Sequence, residues 1–88
     1  MKASDGAAAT FTFQPRWKEE MVVTHVGASF VLEFSMGVPT IYLPTEDAWR
    51  AKSPPWATHL WTALRGELEH WCQANKVALE IDPTAGVF

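Results

Sequence analysis

The chain has 88 residues, a hydrophobic share of 48%, a charged share of 19% and a formal net charge of −3. A chain of this length makes one domain. Its Lys and Arg are scattered, and Arg16 and Lys18 are followed at once by Glu19 and Glu20; this argues against a nucleic-acid binder, which needs clustered cations to release counterions. The single cysteine excludes an internal disulfide and a thiolate zinc cluster. No run approaches the roughly 18 apolar residues of a membrane span, and the opening residues "MKASDGAAAT" are small and polar rather than a secretory apolar stretch. The expectation is a cytoplasmic protein with no cofactor, no metal and no membrane contact.

Residues 1–9 read as a disordered tail, residues 10–83 as one α+β domain and residues 84–88 as a loose end. From Thr10 the pattern has period two: Phe11 and Phe13 alternate with Thr10, Thr12 and Gln14, a strand that ends near Pro15. Residues 20 to 43 read as two hairpins in series. A two-residue turn at Gly27-Ala28 sets His25 opposite Phe30, Val23 opposite Leu32 and Met21 opposite Phe34. A second turn at Gly37-Val38 sets Phe34 opposite Ile41 and Leu32 opposite Leu43. Both turns collect Met21, Val23, Phe30, Leu32, Phe34, Ile41 and Leu43 on one face, and a slip by one residue would move every one of them to the other face. The opposite face holds Val22, Thr24, Val26, Val31, Glu33, Ser35, Thr40 and Tyr42.

After Leu43 the period changes. Thr45 is placed to cap a short helical turn that carries Trp49, with Glu46 and Asp47 at its positive end. Ser53 before Pro54 is a second start signal. It opens one long amphipathic helix from about Pro54 to about Ala74, with Asn75 available as the residue just past its end. "VALEID" follows as a final strand, closed by Pro83. The fold class is therefore α+β: an antiparallel sheet of four or five strands, a meander, covered on one face by the helix, with the last strand after it.

On a helical wheel Ala57, Leu60, Trp61, Leu64, Leu68, Trp71 and Cys72 fall in one apolar arc about 120° wide. Trp61 and Trp71 therefore belong with the core. Trp56 falls at the edge of the arc, on a flank with Ala63, Glu67 and Ala74, where a tryptophan beside small residues makes a candidate contact surface. Cys72 falls on the apolar arc near the helix C-terminus, where burial and the dipole both disfavour a thiolate. His59 and His70 are about 16 Å apart along the helix, too far for one metal. Glu80 and Asp82 share a strand face, and Glu33 lies on the open side of the meander.

The open sheet face, with Val22, Val26, Val31 and Tyr42, is apolar for a water-facing surface. These four residues, or alternatively the Trp56 flank, are the interface candidates of a small non-catalytic interaction protein, a homodimer of the plain accessory kind found with mobile elements or toxin–antitoxin pairs. The alternative is a small-molecule binding protein in which Trp17, His25, Trp49 and Trp56 line a pocket for a cationic or flat aromatic ligand. No serine, cysteine or paired acid can be placed beside His25 from the sequence, so no catalytic set emerges.

Overall fold

A computed structural model describes residues 11–16 and 19–88. The expected tail over residues 1–9 and Trp17 lie outside the described residues. The elements are β1 (Thr12–Arg16), β2 (Glu20–His25), β3 (Ala28–Ser35), β4 (Thr40–Leu43), α1 (Glu46–Lys52), a 3₁₀ turn (Pro55–Leu60), α2 (Trp61–Asn75) and β5 (Ala78–Ile81). The strands form one five-stranded sheet in chain order, with α1, the 3₁₀ turn and α2 against one face. The α+β class is as read from the sequence. One correction concerns the sheet, which is mixed: β5 pairs parallel to β4. A strand that returns after a helical crossover runs in its neighbour's direction, whereas only the tight turns reverse the chain.

The apolar face is built from the residues that alternation selects. Met21, Val23, Leu32, Ile41 and Leu43 have no exposure, and Phe30 and Phe34 are buried. The first hairpin nevertheless pairs differently from expectation. His25 lies opposite Ala28, Val23 opposite Phe30 and Met21 opposite Leu32. The turn is Val26-Gly27, both with positive φ (47° and 81°), the type I′ pattern that follows the twist of the strands. The pairing differs from the expected one by two residues, and because side chains alternate with period two the core face is the same in both registers. The second hairpin has the expected register, Phe34 opposite Ile41. Its connection is a four-residue turn over 36–39 rather than a two-residue turn on Gly37.

Thr45 caps α1 as expected, its hydroxyl accepting from the Ala48 N–H at 3.3 Å. Trp49 is fully buried, and its indole N–H donates to the Ala57 carbonyl at 3.1 Å, the partner a buried indole requires. The expected single helix from Pro54 is two pieces, a 3₁₀ turn and then α2. Ser53 caps neither. Its N–H closes α1 on the Trp49 carbonyl, and its hydroxyl meets that of Thr58 at 2.9 Å. At the far end Lys76, not Asn75, takes the left-handed conformation (φ 58°), and Asn75 instead donates its side-chain amide to the Trp71 carbonyl at 2.8 Å. Leu64 and Leu68 are fully buried beneath α2, and Cys72 is 3% exposed.

Residues 84–88, expected as a loose end, lie against the sheet. β4 pairs with β3 only over residues 33–35, so the first half of β3 has a vacant flank on that side. Val87 bridges to Leu32, the Phe88 N–H donates to the Val31 carbonyl at 2.9 Å, and Ala85 is buried. Lys52 of α1 secures the approach, donating to the Ala85 carbonyl at 2.8 Å. Asp82 shapes the turn before it, accepting at 2.8 Å from both the N–H and the hydroxyl of Thr84.

Two predictions follow from these turns. Val26 is 87% exposed and β-branched in a left-handed conformation, which costs an L-residue about 1–2 kcal/mol. Val26→Asn is expected to stabilise the protein by about 1 kcal/mol, a gain of roughly 4–8 °C in Tm for a domain of this size. Val38→Asn, 75% exposed but without positive φ, serves as the control, and a Tm for Val26→Asn no higher than wild type contradicts the I′ assignment. The hydrogen bonds from Thr84 hold the Asp82 carboxyl below its ordinary value. A folded-state pKa that is lowered contributes stability above the unfolded value of about 3.9 and loses it as pH falls through the folded value. The Thr84 amide should therefore lose its hydrogen-bonded chemical shift with a midpoint below about pH 3.9, and an NMR titration with its midpoint at or above that value would refute it.

Candidate functional site

The site follows from a mismatch of widths. Five strands at about 4.8 Å spacing make a sheet roughly 24 Å across, whereas one helix with its side chains covers about 10–12 Å. Leu64, Leu68 and Cys72 seat α2 along one line of the sheet. Both flanks of α2 remain as grooves. The β5 side holds a hollow of about 400 Å³ lined by Arg65, Glu69, Cys72, Gln73, Val77, Leu79 and Ile81. The β1 side holds a larger one, about 710 Å³, lined by Phe11, Thr12, Phe13, Gly66, Glu67, His70, Trp71 and Ala74.

The larger groove is apolar at its floor and small-residued along its helical wall. Phe11 and Phe13 alternate toward the helix side of β1, with ring centroids 6.3 Å apart. Trp71 reaches from α2 to Phe13, centroids 6.1 Å apart. Gly66 and Ala74 leave the wall low, and nothing lies within 4 Å of where a Cβ on Gly66 would stand. Glu67 spans from helix to strand and accepts the Phe11 N–H at 3.0 Å.

The edge of β1 beside this groove is poor in donors. The Phe34 N–H donates to the Glu19 carbonyl at 3.1 Å, which makes Glu20 and Glu33 a pair without mutual backbone bonds. Backbone groups alternate sides along an antiparallel strand, so those of Glu20, Val22 and Thr24 face β1 and meet Arg16, Gln14 and Thr12. The groups of Phe11, Phe13 and Pro15 then face outward. Proline has no N–H, and the Phe11 N–H is taken by Glu67. Between residues 11 and 15 the outward donor that remains is the Phe13 N–H.

The residues expected to line a ligand pocket have a different arrangement. His25, Trp49 and Trp56 are brought together, but by packing on one another. The His25 ring lies 5.7 Å from Trp56 and nearly parallel to it, and 4.9 Å from Phe11. Phe30 links Trp56 at 5.9 Å to Trp49 at 5.3 Å. With Phe13 and Trp71 these rings form a continuous aromatic row that closes the β1–β2 side of the core.

The interface candidates lie on separate surfaces, the open face being one and the Trp56 side another. Val22 and Val31 are half-buried cross-strand partners on the open face, and Tyr42 shares that face, opposite Glu33 on one side and Glu80 on the other. Val26 projects from the hairpin tip, and Trp56 packs on the helix-bearing side of the sheet. Trp56 is not on the flank of α2 because the 3₁₀ turn advances by about 120° per residue rather than 100°, which breaks the wheel phase between Trp56 and Ala63. The flank itself, with Glu67 and Ala74, does line the larger groove, and the aromatic residue beside it is Trp71.

The other polar candidates are engaged locally. Glu33 accepts the Gly86 N–H at 3.3 Å, and Asp82 serves the turn at Thr84. His59 and His70 are exposed on separate elements. Among the described residues no group of three or more His, Cys, Asp or Glu is arranged to hold a metal ion, and no helix is long and apolar enough to cross a membrane. Comparison with protein families, curated proteins and solved structures finds no match.

Burial pushes the Cys72 thiol above its ordinary value, and the side chain is 3% exposed. Native protein at pH 8 should resist iodoacetamide, with alkylation rising only as urea unfolds the chain. Native-state labelling at the rate of a free thiol would contradict the seating of α2.

Proposed function

We propose that this chain is a small non-catalytic interaction protein, an accessory component whose partner surface is the groove between β1 and α2. The observation that supports this most is the groove itself: an open, largely apolar trough of about 710 Å³ along a sheet edge, floored by Phe11, Phe13 and Trp71. Contiguous apolar concavities on so small a domain mark contact sites, and aromatic residues at the centre of such a surface supply most of its binding energy. The open sheet face supports a partner less well. Its Val22, Val31 and Tyr42 are spaced by Thr12, Gln14, Thr24, Ser29, Glu33 and Glu80, a mixture that an antiparallel sheet exposes to water without penalty. A second copy of the chain is one partner to consider, as the half-covered sheet suggested.

A second reading rests on the chemistry of the same trough. Three aromatic rings beside the Glu67 carboxylate also suit a flat cationic small molecule. The two readings separate in one pair of measurements. A photo-crosslinking residue at position 74, in the groove wall, is expected to capture a protein in extract from the source cell, while the same residue at position 62, on the opposite flank of α2, captures none of it. A panel of flat aromatic cations is expected to leave Tm unchanged. Equal capture at both positions, or none, refutes the first reading, and a concentration-dependent rise in Tm with a panel member establishes the second.

A further inference from the structure

We infer that the β5 edge, a surface separate from the β1–α2 groove, pairs antiparallel with β5 of a second copy about a two-fold axis at Leu79, joining two five-stranded sheets into one. The hydrogen bonds of β5 decide which groups face outward. The Ala78 N–H donates to the Pro39 carbonyl and the Asp82 N–H to the Leu43 carbonyl, each at 2.9 Å. Backbone groups alternate sides along a strand, so those of Ala78, Glu80 and Asp82 are spent on β4, and those of Val77, Leu79 and Ile81 point away from it. The Val77 N–H is taken by the Cys72 carbonyl at 2.9 Å. The N–H groups of Leu79 and Ile81 and the carbonyls of Val77, Leu79 and Ile81 meet no partner among the described residues. They form a regular row on the last strand of the sheet. Residues 77–82 contain no proline, lysine or positive φ to blunt that row. Its guard is its short length, four residues.

The side chains set the character of an added strand. Val77, Leu79 and Ile81 are partly buried against the core and line the hollow of about 400 Å³ between β5 and α2. A strand laid beside them needs apolar residues at every second position on the helix side, and β5 itself has that pattern. With the axis at Leu79, Leu79 meets Leu79 of the second copy and Val77 meets its Ile81. The two Leu79 residues exchange a pair of hydrogen bonds, and each Ile81 N–H reaches the other copy's Val77 carbonyl.

Charge selects this register. Moving the axis to Glu80 keeps a comparable ladder but sets Glu80 directly against Glu80 of the second copy, which is destabilising. Moving it to Ala78 loses the Ile81 bonds, because residue 81 then faces Asn75 at the helix end. With the axis at Leu79, Glu80 lies opposite Ala78, and Lys76 is diagonal to Glu80 of the second copy, within reach of a long side chain. Neither Lys76 nor Glu80 has an ion-pair partner among the described residues. The two-fold arrangement consumes the β5 edge of both copies, and Pro15 and Glu67 obstruct β1 at the other edge. The assembly therefore closes at a dimer instead of growing into a fibre.

Sedimentation velocity of the full chain from about 1 to 200 μM is expected to show monomers passing to dimers and no larger species. A monomer throughout overturns the proposal. The register is read by disulfide trapping. Ala78 and Glu80 are both exposed, so cysteine at either leaves the core intact, and the native Cys72 is buried. A mixture of Ala78→Cys and Glu80→Cys chains under mild oxidation is expected to give the mixed disulfide in excess over both homodisulfides. Residues 78 and 80 then face each other as a pair without mutual backbone bonds, about 4.5 Å between Cα atoms, a spacing a disulfide accepts. Predominance of either homodisulfide, or a statistical mixture, overturns the axis at Leu79. Lys76→Glu is expected to raise the dimer Kd about tenfold, and Lys76→Glu combined with Glu80→Lys to recover it. A Kd indifferent to Lys76→Glu, or not recovered by the second substitution, assigns the dimer to another surface and overturns the pairing of β5.

Discussion

One helix of fifteen residues has to cover a sheet of five strands. A helix is about half as wide as such a sheet, and most of the molecule can be understood as an answer to that shortfall. Leu64, Leu68 and Cys72 place α2 along a central line. Trp61 and Trp71, the largest residues of α2, reach outward from it. Trp61 anchors one side by donating its indole N–H to the Pro44 carbonyl at 2.9 Å, with the Arg65 guanidinium over its ring at 5.5 Å. Trp71 leans the other way onto Phe13. At the hairpin end α1 and the 3₁₀ turn add Trp49 and Trp56, which pack on Phe30. These four tryptophans therefore widen a helical layer that is too narrow.

The shortfall is not fully made good, and its remainder is the candidate site. A protein of this size buries only about 60% of the surface its unfolded chain exposes, so some apolar area must stay near water. Part of it lines the trough at the β1 flank, and part is at the hairpin turns and the chain end, where Val26, Met36, Val38 and Phe88 are exposed. Sheet edges are a liability because they recruit foreign strands. The β1 edge is blunted by Pro15 and by the reach of Glu67, while β5 is kept to four residues. The vacant flank of β3 is filled by the chain's own Val87 and Phe88. Backbone pairing is thus discouraged at the place where apolar side-chain contact is on offer.

The core face was legible because alternation is a local property with period two. A hairpin shifted by two residues still buries Met21, Val23, Phe30 and Leu32, so the register error left the face intact. What alternation does not carry is the identity of the turn. Gly27 is the second turn residue and not the first, because Val26 accepts a left-handed φ that its own chemistry disfavours. The helix was legible over Trp61–Asn75 for the same periodic reason, and the same periodicity puts Glu67 and Ala74 on one flank of it. The aromatic residue assigned to that flank was Trp56, and the structure puts Trp71 there. A wheel is trustworthy only while the rotation per residue is constant, and the 3₁₀ turn changes it. His25, Trp49 and Trp56 lie in one aromatic row, but whether such rings enclose a cavity or fill it depends on distances that sequence spacing does not contain.

The sequence alone determined the class of fold, the apolar face of the meander and the helix that covers it, since each depends on side-chain periodicity within a few residues of chain. Only the tertiary structure decided that β5 lies parallel beside β4, that residues 84–88 return to β3, and that Phe11 and Phe13 face Trp71 across a groove. Those contacts join segments far apart in the chain, from Thr40 and Ala78 in the β4–β5 pair to the Phe11 N–H and Glu67. Which distant segments meet is set by how much area each must hide and by what width of helix is available to hide it, and that balance belongs to the whole molecule.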